Sequence, residues 1–315
     1  MASPPRFPLI DGPSPLQPLP RFCEALGGRS EIWIKREDLL PLAFGGNKLR
    51  NLEFLVGAAL AEGADTLVTS GRRWSNHARL TAAAGARAGL AVHLVLSGPP
   101  ADPPGPGVRL ARAFGASVHQ LATTDRSERE AKVAEVADRV TSEGGHPYVI
   151  GVGGTGAIGA YGQLLAAREV VAQADAQALG IDRVVLATAT GGTQAGLLAG
   201  LRPATRVTGI VAARSAEELR PVIAGTTAEL GTVVEPADIE LDDAFIGAGY
   251  GRPTETAQAA GDLLARTEAI LVDPIYTAKA LAGLIAGVRS GAWDGERIVF
   301  WHAGGLPGLF EPLDS

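Results

Sequence analysis

Lysine is scarce in this chain: its 315 residues hold only Lys35, Lys48, Lys132 and Lys279, and arginine carries most of the positive charge. The difference is chemical. A guanidinium keeps its proton in a protein, whereas a desolvated ammonium can lose it and bond to a carbonyl carbon as a Schiff base. Lys48 has the most suggestive surroundings. It follows a glycine pair and an asparagine in Gly45-Gly46-Asn47-Lys48-Leu49-Arg50, and a partly apolar stretch of helical period comes after it.

A second signal is the run Thr188-Ala189-Thr190-Gly191-Gly192-Thr193-Gln194-Ala195-Gly196. It follows a strand-like segment and opens a helical one. Glycines let successive N–H groups turn toward one point, and a helix start adds partial positive charge. Thr190 and Thr193 add hydroxyl donors, so the run suits a phosphate dianion. No Gly-Lys-Ser/Thr closes it, so it is not a Walker loop, and its spacing is not the Rossmann fingerprint. Taken alone, it serves about equally well as a tight strand-to-helix turn. Beside a reactive-lysine candidate it points to a cofactor bearing both an aldehyde and a phosphate, pyridoxal 5′-phosphate.

Short aliphatic and β-branched runs predict strands at Glu31–Lys35, Thr66–Ser70, Ala91–Ser97, Ser117–Leu121, Pro147–Ile150, Arg183–Ala187, Arg206–Ala212 and Arg297–Trp301. Alanine-rich stretches of helical period alternate with them: Leu49–Glu62, Ser75–Gly89, Val108–Phe114, Arg129–Glu143, Ala157–Leu179, Thr193–Leu201, Thr256–Arg266 and Ala278–Ser290. Such alternation implies an α/β fold, with parallel sheets covered by helices on both faces. A closed eightfold barrel is the competing architecture. The extended start and the irregular segment Pro221–Gly251 fit it poorly. Glycine-rich clusters at Gly151–Gly162 and Gly191–Gly196 flank a long helix, which could mark where the chain leaves one sheet for another.

Composition narrows the function classes. A formal net charge of −6 argues against nucleic acid as a main partner. No apolar run reaches the length of a membrane span. The first twenty residues are proline-rich without an apolar core, so no targeting signal and a cytoplasmic location are expected. Cys23 is the only cysteine, which excludes an intramolecular disulfide and a cysteine-based zinc site. No metal is expected.

Eight ordered motifs now carry a resemblance over nearly the whole length. They begin with Pro15-Leu16-Gln17-Pro18-Leu19 and Ile34-Lys35-Arg36-Glu37-Asp38, and continue through Gly45 to Glu53 and Ser75-Asn76-His77-Ala78-Arg79. The glycine-rich run follows, then Gly249-Tyr250-Gly251, Asp273-Pro274-Ile275-Tyr276-Thr277 and His302-Ala303-Gly304-Gly305. The chain resembles the D-cysteine desulfhydrase and 1-aminocyclopropane-1-carboxylate (ACC) deaminase family, fold-type-II enzymes related to tryptophan synthase β. The resemblance implies a large cofactor-binding domain from residues 1–52 and 162–315, a small inserted α/β domain from 53–161, a cleft between them and a homodimer.

It also implies roles. Lys48 would hold the cofactor aldehyde and move a proton. Asn76 would contact the cofactor's 3′-oxygen, and the N–H groups of Gly191, Gly192, Thr193, Gln194 and Gly196 would hold its phosphate. Ser75 would cap its helix and lie beside the substrate carboxylate, while His77 could equally pack or bind. Tyr276 and Tyr250 would face the substrate, Tyr276 being the better acid–base candidate. A catalytic phenol of that kind would need its pKa lowered.

Three departures bear on the substrate. Trp74 stands where the family has glutamine and would narrow the pocket or stack on a ligand, and Arg72-Arg73 before it could grip an acidic substrate group or, as loop arginines more often do, point to water. Thr277 replaces the glutamate of ACC deaminases near the pyridine nitrogen, which favours β-elimination over opening a cyclopropane. Ala303 replaces a threonine and removes one cofactor contact. The expected activity is elimination across a C–S bond of a small amino acid such as D-cysteine. ACC deamination, a specialised lyase with an altered substrate, and a binding protein without turnover are the rivals.

Overall fold

The computed structural model describes residues 2–312. Two open sheets form its frame. The chain starts with strand β1 (Leu16–Pro18), helix α1 (Pro20–Ala25) and strand β2 (Glu31–Arg36). It then passes through helix α2 (Lys48–Ala61) into a second sheet made of β3 (Thr66–Arg72), β4 (Ala91–Ser97), β5 (Ser117–Leu121) and β6 (Pro147–Ile150). Helices α3 (Asn76–Ala88), α4 (Pro106–Ala113) and α5 (Arg126–Ser142) connect those strands. Helix α6 (Ala157–Ala176) returns the chain to the first sheet. There it adds β7 (Arg183–Thr188), α7 (Gly192–Gly200), β8 (Arg206–Val211), α8 (Ala216–Glu229), β9 (Glu240–Asp242), α9 (Glu255–Glu268), α10 (Thr277–Arg289) and β10 (Arg297–His302).

The first sheet has the order β1-β2-β10-β7-β8-β9 and the second β5-β4-β3-β6. All pairings are parallel except β1 with β2 at the edge. Parallel strands need crossovers, which bring helices onto both faces and bury the strands throughout. Strand β3 is accordingly buried from Thr66 to Gly71. Open sheets replace the barrel alternative.

Each predicted strand and helix is present within a few residues. The segment expected to be irregular from Pro221 is different. Helix α8 runs through Pro221, because the Ser215–Glu218 capping box fixes its start and Leu219 and Ile223 bury against Val211 and Ala195. Tertiary packing outweighs the missing proline N–H.

Candidate active site

The chain brings the carboxyl ends of β3, β7, β8 and β10, from both sheets, to one cavity of about 290 Å³. That is where open α/β sheets bind ligands, and the volume lies near the lower end for small-molecule sites. Its lining includes Lys48, Ser75, Asn76, His77, Thr190, Gly191, Thr193, Tyr250, Tyr276 and Thr277. Residues separated by more than two hundred positions in sequence therefore share one space.

Lys48 opens α2, and its Nζ donates to the Gly153 carbonyl at 2.8 Å. Burial lowers its pKa from the usual lysine value to about 8. The other lysines are engaged elsewhere. Lys35 is buried against Glu169 at 2.5 Å, Lys132 pairs with Glu135 on the surface, and Lys279 donates to the Ile246 carbonyl at 2.6 Å. The loop before Lys48 is held in an unusual shape, with Ala43, Phe44, Gly45 and Gly46 all at positive φ. Gly45 is obligatory there, since a Cβ would lie 2.1 Å from the Asp38 carbonyl oxygen. Buried Arg79 on α3 secures the loop by donating to the carbonyls of Ala43 and Gly45.

A candidate phosphate cradle starts where β7 ends. Gly191 caps α7 in the left-handed region at φ +86, and a Cβ there would sit 2.8 Å from Ile223 Cγ1. Thr193 Oγ1 accepts from Asn47 Nδ2 at 2.9 Å, which ties the cradle to the residue before Lys48 and leaves the threonine proton available. Thr188 Oγ1, also on the lining, is buried without a hydrogen-bond partner. An unsatisfied buried hydroxyl beside N–H groups at a helix start fits an anionic ligand. Asn76 accepts from Arg79 at 3.3 Å through Oδ1, so its amide N–H₂ is free to donate to a ring oxygen. The residues present thus fit pyridoxal phosphate at its aldehyde, ring and phosphate.

Of the residues expected to face the substrate, Ser75 caps α3, its Oγ accepting from the Ala78 N–H at 3.2 Å. His77 is 3% exposed, and its Nε2 lies 3.0 Å from Thr69 Oγ1. The Thr69 hydroxyl gives its proton to the Ile150 carbonyl at 2.8 Å, so His77 Nε2 must donate. Burial, reinforced by the Lys48 charge, lowers the His77 pKa to about 3, so the ring is neutral at ordinary pH. Tyr250 and Tyr276 share a short hydrogen bond between hydroxyls, with ring centroids 5.9 Å apart. The sequence argument required a lowered phenol pKa. The structure gives the reverse: burial raises both, and Tyr276 more strongly because Tyr250 adds to the effect. Both are proton donors or acceptors as neutral phenols.

Thr277 Oγ1 donates to Asp273 Oδ2 at 2.5 Å, so its proton is already committed. Asp273 also accepts from the N–H groups of Ile275, Tyr276 and Thr277, which sets the first turn of α10 and with it Tyr276. Gly192, Gln194, Gly196 and Trp74 lie outside the lining. Gln194 spans to the carbonyls of Val207 and Glu240, and Gly196 lets α6 and α7 approach, a Cβ there meeting Ala160 O at 2.6 Å. Trp74 stands edge-on behind Tyr250 at 5.9 Å. Sequence reasoning did not single out Asp273, Arg79 or Arg129 as site residues. Asp273 and Arg79 each lay within a quoted motif that did not disclose their roles, while no local pattern marked Arg129.

Comparison with known proteins agrees with this geometry. A family model described as pyridoxal-phosphate dependent enzyme matches residues 8–304. A D-cysteine desulfhydrase of Klebsiella pneumoniae (strain 342) is 42% identical over 323 residues, covering 97% of this chain and 95% of that protein. One from Salmonella typhi is 43% identical over 319 residues with the same coverage. A solved structure described as an ACC deaminase homologue superposes with a TM-score of 0.89 at 36% identity, covering 98% of this chain and 94% of that one. With Lys48 and the glycine-rich start of α7 lining one cavity and the family model matched over residues 8–304, the chain belongs to the pyridoxal-phosphate dependent enzymes.

Proposed function

We propose that this enzyme is a C–S lyase that eliminates the β-substituent of a small amino acid, of the D-cysteine desulfhydrase kind, yielding a 2-oxo acid, ammonia and sulfide or a thiol. The observation that carries the reading is identity of 42–43% to D-cysteine desulfhydrases across 97% of the chain. When bound, the cofactor supplies the electron sink for loss of the α-proton. The chain's residues supply the rest. Lys48 takes the α-proton on an amine that burial keeps partly neutral and the Gly153 carbonyl orients. The start of α3, with Ser75, receives the α-carboxylate. As the Cβ–S bond breaks, its electron pair leaves on sulfur, and Tyr276, coupled to Tyr250, stands as the proton donor. Neutral His77 contributes shape. Thr277, tied to Asp273, places no acid beside the ring, which suits departure of a good leaving group. Action as a homodimer belongs to the same reading and rests on the family resemblance, and a cytoplasmic location is compatible with it.

The deciding experiment offers D-cysteine, L-cysteine and ACC separately to the purified holoenzyme and assays 2-oxo acid and sulfide. Pyruvate with sulfide from a cysteine is the expected result. 2-Oxobutyrate from ACC without sulfide from either cysteine overturns it.

A further inference from the structure

Two positively polarised points in the cavity have an occupant under the lyase reading: the start of α7 takes the phosphate and the start of α3 takes the substrate carboxylate. A third does not. Arg72 at the end of β3, Arg126 and Arg129 near the start of α5, and Arg214 just beyond β8 line the same cavity. Arg126 pairs with exposed Glu130 at 2.6 Å, and Glu130 also acts at longer range on Arg129 and Arg214, as Glu218 does on Arg214, yet Arg72, Arg129 and Arg214 make no contact ion pair among the described residues. Arg129 is the telling one. It is 9% exposed, its Nε has no partner, and its nearest bond is a 3.3 Å donation to Ser97 Oγ. A guanidinium cannot shed its charge, so a buried cation with another arginine beside it is costly until an anion joins them. The acid on the cavity lining, Asp273, is saturated by its own turn and cannot serve.

The cluster also has the right address. Arg72 lies over the Tyr250 ring, 5.9 Å from its centroid, and Tyr250 is bonded to Tyr276, the proposed donor to the leaving group. We propose that Arg72, Arg126, Arg129 and Arg214 bind an anionic group carried by the β-substituent, so that the preferred substrate is an amino acid whose leaving group bears a fixed negative charge. This rests on the lyase reading. In the reaction the Cα–H bond breaks toward Lys48, and the Cβ–S bond breaks with its electron pair on sulfur. The charged thiolate takes a proton, and water hydrolyses the remainder to 2-oxo acid and ammonium. No oxidant or reductant is needed.

The test compares both enantiomers of S-carboxymethylcysteine with its neutral amide, S-carbamoylmethylcysteine, on the holoenzyme, by 2-oxo acid formation and by calorimetric binding. O-Phosphoserine distinguishes a compact phosphate leaving group from a carboxylate-bearing one. The expected result is a preference for the acid of about tenfold or more, expressed in KM, as charge-assisted bonds of this kind give. Arg129→Gln should collapse the acid-to-amide ratio, and Arg129→Lys should restore part of it, with circular dichroism verifying the fold of each. Elimination of both compounds with equal efficiency overturns the inference and leaves the lyase reading standing. Elimination of neither, with the acid bound tenfold more tightly, keeps an anion site but overturns its place at the leaving group, and the lyase reading then stands or falls on the cysteine assay alone. Loss of cofactor absorbance in Arg129→Gln, with the acid-to-amide ratio intact, assigns the arginines to the cofactor and overturns the inference.

Discussion

Burial gives Lys48 the chemistry that its proposed role as nucleophile needs. With a pKa of about 8 rather than 10.5, roughly one amine in ten is neutral at pH 7, against about one in three thousand for a free side chain. Capture of pyridoxal phosphate by the apoprotein should therefore accelerate about tenfold per pH unit below 8 and level off above it. Stopped-flow absorbance reads this, and a rate flat across that range would contradict the assignment. Lys48→Met should abolish capture. The tyrosine pair predicts a different profile. Both phenols are held above the ordinary tyrosine value and His77 is held near 3, so none of the three should titrate between pH 5 and 9. Tyr276→Phe should cut kcat by roughly 10²–10⁴-fold, the usual worth of a positioned proton donor, with little change in KM. A rate limb near pH 6.5 that disappears in His77→Gln would refute the neutral histidine.

Elements position these groups, and here legibility from sequence divides sharply. Long alternating segments could be read because burial on both faces leaves continuous aliphatic strands and alanine-rich helices. Strands β1 and β9 are three residues each, too short for any period to register, and α1 has only six residues. Helix α8 was hidden by Pro221. At the site, Lys48, the Ser75–His77 start and the Thr188–Gly196 run carried local signatures of turn and cap. Arg79 carried none: its role comes from donating across to a loop more than thirty residues earlier. Arg79→Met leaves those carbonyls unsatisfied and should cost about 1–3 kcal/mol in urea unfolding. It should also weaken cofactor binding, because the same loop leads into Lys48. Full stability together with full cofactor affinity in that variant would deny the loop-holding role.

At the scale of the molecule, the sheet frame is pinned by a buried ion cluster. Arg50 bridges Glu37 at 2.9 Å and Glu169 at 2.7 Å, and Lys35 joins Glu169 at 2.5 Å, uniting β2, α2 and α6. Arg50→Met strands two carboxylates and should destabilise the fold by about 3–5 kcal/mol in chemical denaturation. A loss below about 1 kcal/mol would show the cluster to be solvated. Burial pulls the Glu169 pKa upward, but Arg50 and Lys35 outweigh it and hold it below the usual glutamate value. Its stabilising share is thus present above a pH of about 4.3 and is lost as pH falls through the lowered value. The scarcity of lysine has a last consequence at this scale. An aromatic aldehyde is indiscriminate toward amines, yet Lys35 and Lys279 are sealed inside, which leaves Lys132, paired with Glu135 on the surface, as the one lysine competitor. A protein so poor in competing side-chain amines steers a promiscuous electrophile to its destination largely by withholding almost every other place to land.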